Sequence, residues 1–334
     1  MRDTVIAIVG ADSLAGREMR EILGAGPLAK QLRLLSSESQ ESIFSSTDDE
    51  AVVIAPLEEE NLSGATLLFL TGPPASSRRA HSIAARLTPT PEIIDLSFGL
   101  EDLPEARLRS PMVEPAGFQV PPGALHIVAH PAATAVALLL SRLHAVRPVR
   151  ASVVEVFEPA SERGSRGIEE LQKQTVSLLS FQKLPQEVFD AQLGFNLLPR
   201  YGTAAKEPLS DFELRIERHL ASLLAMAGGA PMPSLRLIQA PVFHGYSISA
   251  WVEFSAPLAA NEAAAALAGQ TVEIRRSDEE PATNAGAAGQ SGITVSVQAD
   301  RNNPRALWFW VVGDNLRMAA DEAMLIAAAL VEAQ

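Results

Sequence analysis

The chain has 334 residues, 47% hydrophobic and 20% charged, which fits a soluble, compact protein of one or two domains burying about three quarters of its unfolded surface. Its formal net charge of −13, with no basic run to offset it, would repel phosphate backbones, so nucleic acid is not an expected partner. It contains no cysteine, which rules out disulfides and thiolate metal sites, and its longest largely apolar runs, Ala132 to Leu140 and Ala323 to Val331, fall far short of the roughly 20 residues of a membrane helix.

The first predicted strand, Val5 to Val9, starts almost at Met1. That leaves no room for a secretion signal, so secretion is not expected and a cytoplasmic location is compatible. The run is apolar and mostly β-branched, ends in a glycine turn, and is followed by Leu14, Met19, Ile22 and Leu23 near helical spacing, which makes a βα unit. Leu32 to Ser36, Ala51 to Ala55, Ala65 to Leu70 and Glu92 to Leu96 read as further short buried strands, with a helical segment at Ser76 to Leu87. Strands alternating with helices predict a Rossmann-like, doubly wound parallel sheet. Pro104 to Pro122 is rich in proline and reads as a meandering connection.

From about Pro148 the texture changes. Ala151 to Phe157, Ser234 to Ala240, Ser247 to Phe254, Gly292 to Val297 and Ala306 to Val312 alternate apolar and polar residues, which predicts an α+β domain whose mixed sheet has one covered face. Ser277 to Ser291, with Pro281, Asn284, Gly286 and Gly289, reads as a mobile loop. The last helix is expected to start at a cap, Asp314, and to carry Leu316, Ala320, Ala323, Met324, Ala327 and Leu330 on its apolar stripe.

A dinucleotide site needs a tight turn, a residue small enough for pyrophosphate to reach backbone N–H groups, and a helix start aimed at the anion. Gly10 and Gly16 supply two of the three glycines; the middle one is Ser13, and Asp12 adds a negative charge. The residues expected to face a dinucleotide are Gly10, Asp12, Ser13, Leu14, Ala15 and Gly16, then Ser37 and Glu38 after the second strand, and Gly72 and Pro73. Glu38 is placed to hold a ribose diol. His126 and His130 straddle a strand end rather than one helical face, so no metal site is expected.

Six ordered segments resemble the aspartate-semialdehyde dehydrogenase family. They are Val5 to Gly16, Leu68 to Pro74, Ile127 to Thr134, Phe195 to Pro199, Pro241 to Ser247 and Trp310 to Arg317. The resemblance covers nearly the whole chain. It implies an NAD(P)-binding Rossmann domain of residues 1–131 with 315–334, a dimerisation domain of residues 132–314, and a homodimer built through the second sheet. The family's enzymes work by a cysteine thiolate that attacks the aldehyde, a hydride transfer to NADP and phosphate cleavage of the thioester.

Here the resemblance places Ala133 at the cysteine, Tyr246 at the histidine base, Gln239 at the arginine that clamps the substrate carboxylate and Glu158 at the glutamine that orients the nucleophile. The phosphate-binding arginine is also missing, because Leu96-Ser97-Phe98 is followed by Gly99. A further family cation is expected near Asp211 to Leu220, where Glu213, Arg215 and Glu217 do not match its spacing cleanly. Ser39 stands where the family's arginine helps accept the 2′-phosphate of NADP, so any binding of NAD or NADP is expected to be weak and to favour NAD. The expectation is a family member without the cysteine chemistry, acting as a binding or partner protein around amino-acid biosynthesis. The alternatives are an oxidoreductase on another small substrate that uses Tyr246, Thr134 or Glu158, and a dinucleotide-sensing protein.

Overall fold

The computed structural model describes residues 5–24, 32–37, 43–47 and 50–332. The chain divides into two units, one of residues 1–111, 116–129 and 319–334, the other of residues 112–115 and 130–318. Among the described residues, no helix is long and apolar enough to cross a membrane.

The first unit contains β1 (Ile6–Val9), α1 (Leu14–Gly24), β2 (Leu32–Leu35), β3 (Ile43–Thr47), β4 (Glu50–Ile54), α2 (Glu59–Leu62), β5 (Leu67–Leu70), α3 (Pro74–Ala84), β6 (Glu92–Asp95), β7 (Ala106–Arg109) and β8 (Leu125–Val128). Its six-stranded sheet has the order β2-β1-β5-β6-β8-β7, with every pairing parallel. Residues of β1, β5 and β8 are buried throughout, as strands covered on both faces require. Ile6 and Ile8 point with Phe69 and Ile94 towards Met19 and Leu23 of α1 and towards Ala320, Ala323 and Ile326. Ala7 and Val9 point the other way with Leu68 and Leu70, against Ala80, Ile83 and Ala84 of α3. This is the doubly wound sheet that the strand and helix periods predict.

The proline-rich stretch from Pro104 is more ordered than a meander. Pro104 and Pro111 flank β7 without interrupting it, so its four residues can pair with β8 at the sheet edge. A second addition is β3, which pairs antiparallel with β4. Only Ile43 and Phe44 of its five residues are apolar, too short a run to mark a strand.

The edge pair also holds a buried histidine. Arg109 of β7 places Nη1 2.9 Å from Nδ1 of His126 on β8, and its guanidinium lies 5.6 Å from the centre of the Phe118 ring. Burial, then the Arg109 charge, lowers the His126 pKa to about 4, outweighing the Glu92 carboxylate 3.9 Å away. A histidine depressed in the folded state stabilises it fully above the unfolded pKa near 6.5 and loses that contribution as pH falls through the folded value. About 3 kcal/mol is expected to disappear between pH 6.5 and pH 4. Urea unfolding of the wild type and of His126→Gln at pH 7.5 and pH 4.5 should therefore show the smaller pH drop in the variant, and equal drops would refute the assignment.

The second unit contains α4 (Pro131–Val146), β9 (Val149–Glu158), a 3₁₀ turn (Ala160–Arg163), α5 (Gly164–Leu179), α6 (Leu209–Met226), β10 (Ser234–Gln239), β11 (Tyr246–Phe254), α7 (Ala260–Leu267), β12 (Val272–Ile274), α8 (Asn284–Ala287), β13 (Ile293–Ala299) and β14 (Ala306–Gly313), together with the start of α9 (Asn315–Glu332). Its sheet runs β10-β9-β11-β14-β13-β12; the outer pairs are parallel and the inner ones antiparallel. Alternation decides which face is covered. Val154, Val156, Ile248, Ala250, Val252, Phe309 and Val311 are buried, whereas Val153, Trp308 and Trp310 on the other face are 47%, 43% and 39% exposed.

The segment from Ser277 to Ser291 is held in place and is not a free loop. Thr283 caps α8, Asn284 accepts a hydrogen bond from the Ser247 hydroxyl at 2.7 Å, Trp310 donates to the Ala282 carbonyl at 3.1 Å and Gly289 N–H reaches Asp314 at 2.8 Å. These bonds link residues far apart in sequence, which local turn signals do not report. Asp314 also caps α9, accepting from the N–H groups of Leu316 at 2.9 Å and Arg317 at 3.1 Å.

Candidate functional site

In the first unit, the glycine turn lies at the carboxyl ends of β1 and β5. Gly10 has φ of +88°, and a Cβ there would overlap Gly72 N; at Gly16 it would overlap Gly10 O. Both glycines are therefore required by the chain crossing itself. The Ser13 hydroxyl donates to the Thr71 carbonyl at 2.8 Å and accepts from Gly16 N–H at 2.9 Å. It thus occupies one amide of the helix start, where Leu14, Ala15 and Gly16 open α1. The Asp12 carboxylate lies 3.4 Å from Ser37 N and 3.5 Å from the Ser36 hydroxyl. Gly72 packs on Ser37 and Ser76, and Pro73 precedes α3. Glu38 and Ser39 lie outside the described residues. At the start of α1 the Gly16 amide is taken by Ser13, and the Asp12 carboxylate stands beside the turn.

The second unit holds the positions that the resemblance sets against the family's catalytic residues. Pro131 sits in the first turn of α4, where its missing N–H costs nothing, and the fully buried methyl of Ala133 follows two residues later. Just before the helix, His130 donates its backbone N–H to Nδ1 of His219 on α6 at 3.0 Å. Thr134 is buried one residue after Ala133.

Glu158 ends β9, and Pro159 turns the chain into the 3₁₀ turn, which is anchored by Ala160 N–H on the Val242 carbonyl at 2.8 Å and Ser161 N–H on the Phe243 carbonyl at 3.0 Å. Gly164, at φ +63°, then allows the turn to run into α5. This short path folds Arg163 back on Glu158. Arg163 Nη2 donates to Glu158 Oε2 at 2.6 Å and its Nε to the Tyr201 hydroxyl at 2.9 Å, while its guanidinium stacks 3.2 Å from the centre of the Phe212 ring. Tyr201 passes a hydrogen bond to Gln239 Oε1 at 2.6 Å, and Gln239 Nε2 donates to the Glu158 carbonyl at 2.8 Å. The position of the family's carboxylate clamp thus has both ends of its amide engaged. Burial raises the Glu158 pKa to about 7 even though Arg163 pulls it down.

On the other side, Glu162 accepts from Asn315 Nδ2 at 2.7 Å and lies 3.7 Å from His130 Nε2. Tyr246 is buried with its ring 6.0 Å from that of His130. Burial, and next the charges of Glu162 and Glu158, push its pKa well above the ordinary value. In α6 the clamp region contributes Phe212 under Arg163, Arg215, whose charge acts on His130 and Glu162, and His219; Glu213 instead accepts from Leu237 N–H at 2.7 Å.

The structure thus joins Glu158 and Gln239 in one buried hydrogen-bond network and buries Tyr246 beside His130. It adds Glu162, Arg163, Tyr201, His219 and Asn315, which sequence reasoning did not single out. The available signal was a pair of charged residues set between Ser161 and Gly164.

Residues 140–318 match the family model for the semialdehyde dehydrogenase dimerisation domain. An aspartate-semialdehyde dehydrogenase of Synechocystis is 26% identical, with 98% of this chain and 97% of that protein covered. A USG-1 protein homolog of Pseudomonas aeruginosa is 29% identical, again over 98% and 97%. Among solved structures, a probable aspartate-semialdehyde dehydrogenase from Pseudomonas aeruginosa superimposes with a TM-score of 0.83 at 27% identity, covering 98% of both chains. A Candida albicans aspartate-semialdehyde dehydrogenase solved with NADP shares the fold at a TM-score of 0.66 and 13% identity, over 97% of each chain.

A parallel sheet of Rossmann type joined to a mixed-sheet dimerisation unit is the architecture of semialdehyde dehydrogenases. The chain belongs to that family, and its nearly full-length relatives include aspartate-semialdehyde dehydrogenases.

Proposed function

We propose that this chain is a family member without semialdehyde dehydrogenase chemistry, acting as a binding or partner protein around amino-acid biosynthesis. The observation that carries this reading is the Arg163–Glu158 pair, 2.6 Å apart and buried in the same hydrogen-bond network as Gln239. With Ala133 the nucleophile is gone, Gln239 is bound to Tyr201 and to the Glu158 carbonyl, and the Glu158 carboxylate is bound to Arg163. An oxidoreductase using Tyr246 as a base finds no support, because burial and two carboxylates make that phenol harder to ionise. Glu158 is likewise held by Arg163. Assay of the unmodified chain with aspartate semialdehyde, phosphate and either nucleotide tests the proposal.

A nucleotide-sensing role is a second reading, favoured by the intact turn around Gly10 and Gly16. It implies weak binding that prefers NAD to NADP, because Asp12 opposes additional phosphate charge and no arginine stands at Ser39. Calorimetry should show saturation by NAD only. Ser13→Gly should tighten binding by freeing Gly16 N–H, at a stability loss of a few tenths of a kcal/mol for the cap. Tighter binding of NADP, or no gain in Ser13→Gly, would contradict this reading.

The assembly proposed is a homodimer built on the outer face of the second sheet. Val153, Phe157, Trp308 and Trp310 give that face an apolar centre, with Phe157 and Trp310 rings 6.2 Å apart, and its strands lie within the matched dimerisation domain. An obligate interface of this kind buries more than ~2,000 Å². Light scattering at micromolar concentration should give twice the chain mass, falling to one chain mass in Trp308→Glu/Trp310→Glu; a monomeric wild type would exclude the dimer.

A further inference from the structure

Three donors from separate elements converge in the second unit. His130 stands before α4, Glu158 ends β9 and Glu162 lies in the 3₁₀ turn, and one ligand atom of each lies within 4.8 Å of the others. Each carboxylate has one oxygen held from behind, Glu158 Oε2 by Arg163 at 2.6 Å and Glu162 Oε1 by Asn315 at 2.7 Å. The oxygens left over are Glu162 Oε2, 3.7 Å from His130 Nε2, and Glu158 Oε1, which has no hydrogen-bond partner although its side chain is 0% exposed. A buried carboxylate oxygen without a donor is unfavourable unless something positive reaches it. Metal sites are built this way, with outer hydrogen bonds fixing each ligating carboxylate while its second oxygen faces the ion.

We propose that His130, Glu158 and Glu162 form a site for a divalent transition cation of the zinc class. One imidazole and two carboxylates, with no thiolate, suit zinc far better than copper(I) or an iron–sulfur cluster. Zinc bonds of about 2.0–2.1 Å in a tetrahedron require donors roughly 3.3 Å apart. The His130–Glu162 pair at 3.7 Å is close to that spacing, so the cation needs only a modest inward movement of the third ligand. The Tyr246 ring lies 6.0 Å from that of His130. Arg163 and Arg215 oppose a cation and balance the two carboxylates, so its hold must come from direct coordination by His130, Glu158 and Glu162. A proton shared by the carboxylates is the rival occupant.

The test is calorimetric titration of chelator-stripped full-length protein with zinc chloride at pH 7.5, with cobalt absorption as a second readout. One equivalent should bind with a Kd in the micromolar range or tighter, and zinc should raise the Tm. His130→Ala and Glu162→Gln should each weaken binding at least 100-fold and abolish the Tm shift, with circular dichroism confirming that they fold. His81→Ala and His244→Ala should bind as the wild type does. No saturable binding, which leaves a proton as the only occupant, or unchanged binding in His130→Ala and Glu162→Gln, would overturn the proposal.

Discussion

Restoring the thiol alone, as Ala133→Cys, is expected to leave phosphate-dependent oxidation of aspartate semialdehyde undetectable. The triple variant Ala133→Cys/Gln239→Arg/Tyr246→His is expected to lose stability without gaining activity. Removing a catalytic nucleophile costs about six decades of rate in a protease catalytic unit, and losses within such a unit do not add, so returning one member returns little. The new thiol, with a reference pKa near 8.5, would lack its histidine base. Gln239→Arg brings a separate difficulty. Gln239 is 0% exposed, its Oε1 takes a 2.6 Å hydrogen bond from Tyr201, and Tyr201 already accepts from Arg163. A second guanidinium there would displace the Tyr201 and Glu158 hydrogen bonds and stand beside the Arg163 charge, and a poorly compensated buried charge costs about 3–5 kcal/mol. Urea unfolding should report that loss. Turnover by the triple variant at a stability near that of the parent would mean that the pocket is disarmed but not reshaped.

Arg163→Met is expected to destabilise the fold by about 3–5 kcal/mol, because it leaves the wholly buried Glu158 carboxylate without its cation and Tyr201 without a donor. The double variant Arg163→Met/Glu158→Met should recover a large part of this, since replacing a buried pair by apolar groups is often neutral while halving it is not. Urea unfolding of both single variants and the double, in chelator to exclude bound metal, closes the cycle. A loss below about 1 kcal/mol in Arg163→Met would show that the pair is no stronger than a surface ion pair.

Much of the fold was legible because it rests on local periods. The continuous apolar runs of β1 and β5 and the alternation in β9, β11 and β14 report burial directly, and Asp314 marks the start of α9 as a cap should. What escaped depends on distant partners. β7 exists because β8 pairs with it, and α8 is held by Ser247 and Trp310, which neither the prolines of one segment nor the glycines of the other announce.

The same division runs through the site. The resemblance sets Ala133, Tyr246 and Gln239, position by position, at the family's cysteine, base and clamp. That Arg163 occupies Glu158 and that Tyr201 ties Arg163 to Gln239 could not be read in this way, since Arg163 and Tyr201 lie 38 residues apart and meet only through the fold. Ser13 shows the intermediate case: a missing glycine is visible in sequence, but its hydroxyl bond to Thr71 is not.

The most direct test of the central claim uses the unmodified chain at substrate-like concentration. Aspartate semialdehyde, phosphate and NAD or NADP are supplied together, and reduction of the nicotinamide is followed with a cysteine-bearing relative run in parallel. The account predicts a flat trace for this chain with both nucleotides, in the forward direction and in the reverse reduction of aspartyl phosphate. A phosphate-dependent rise at a rate comparable to that of the relative would contradict it and require a mechanism without cysteine.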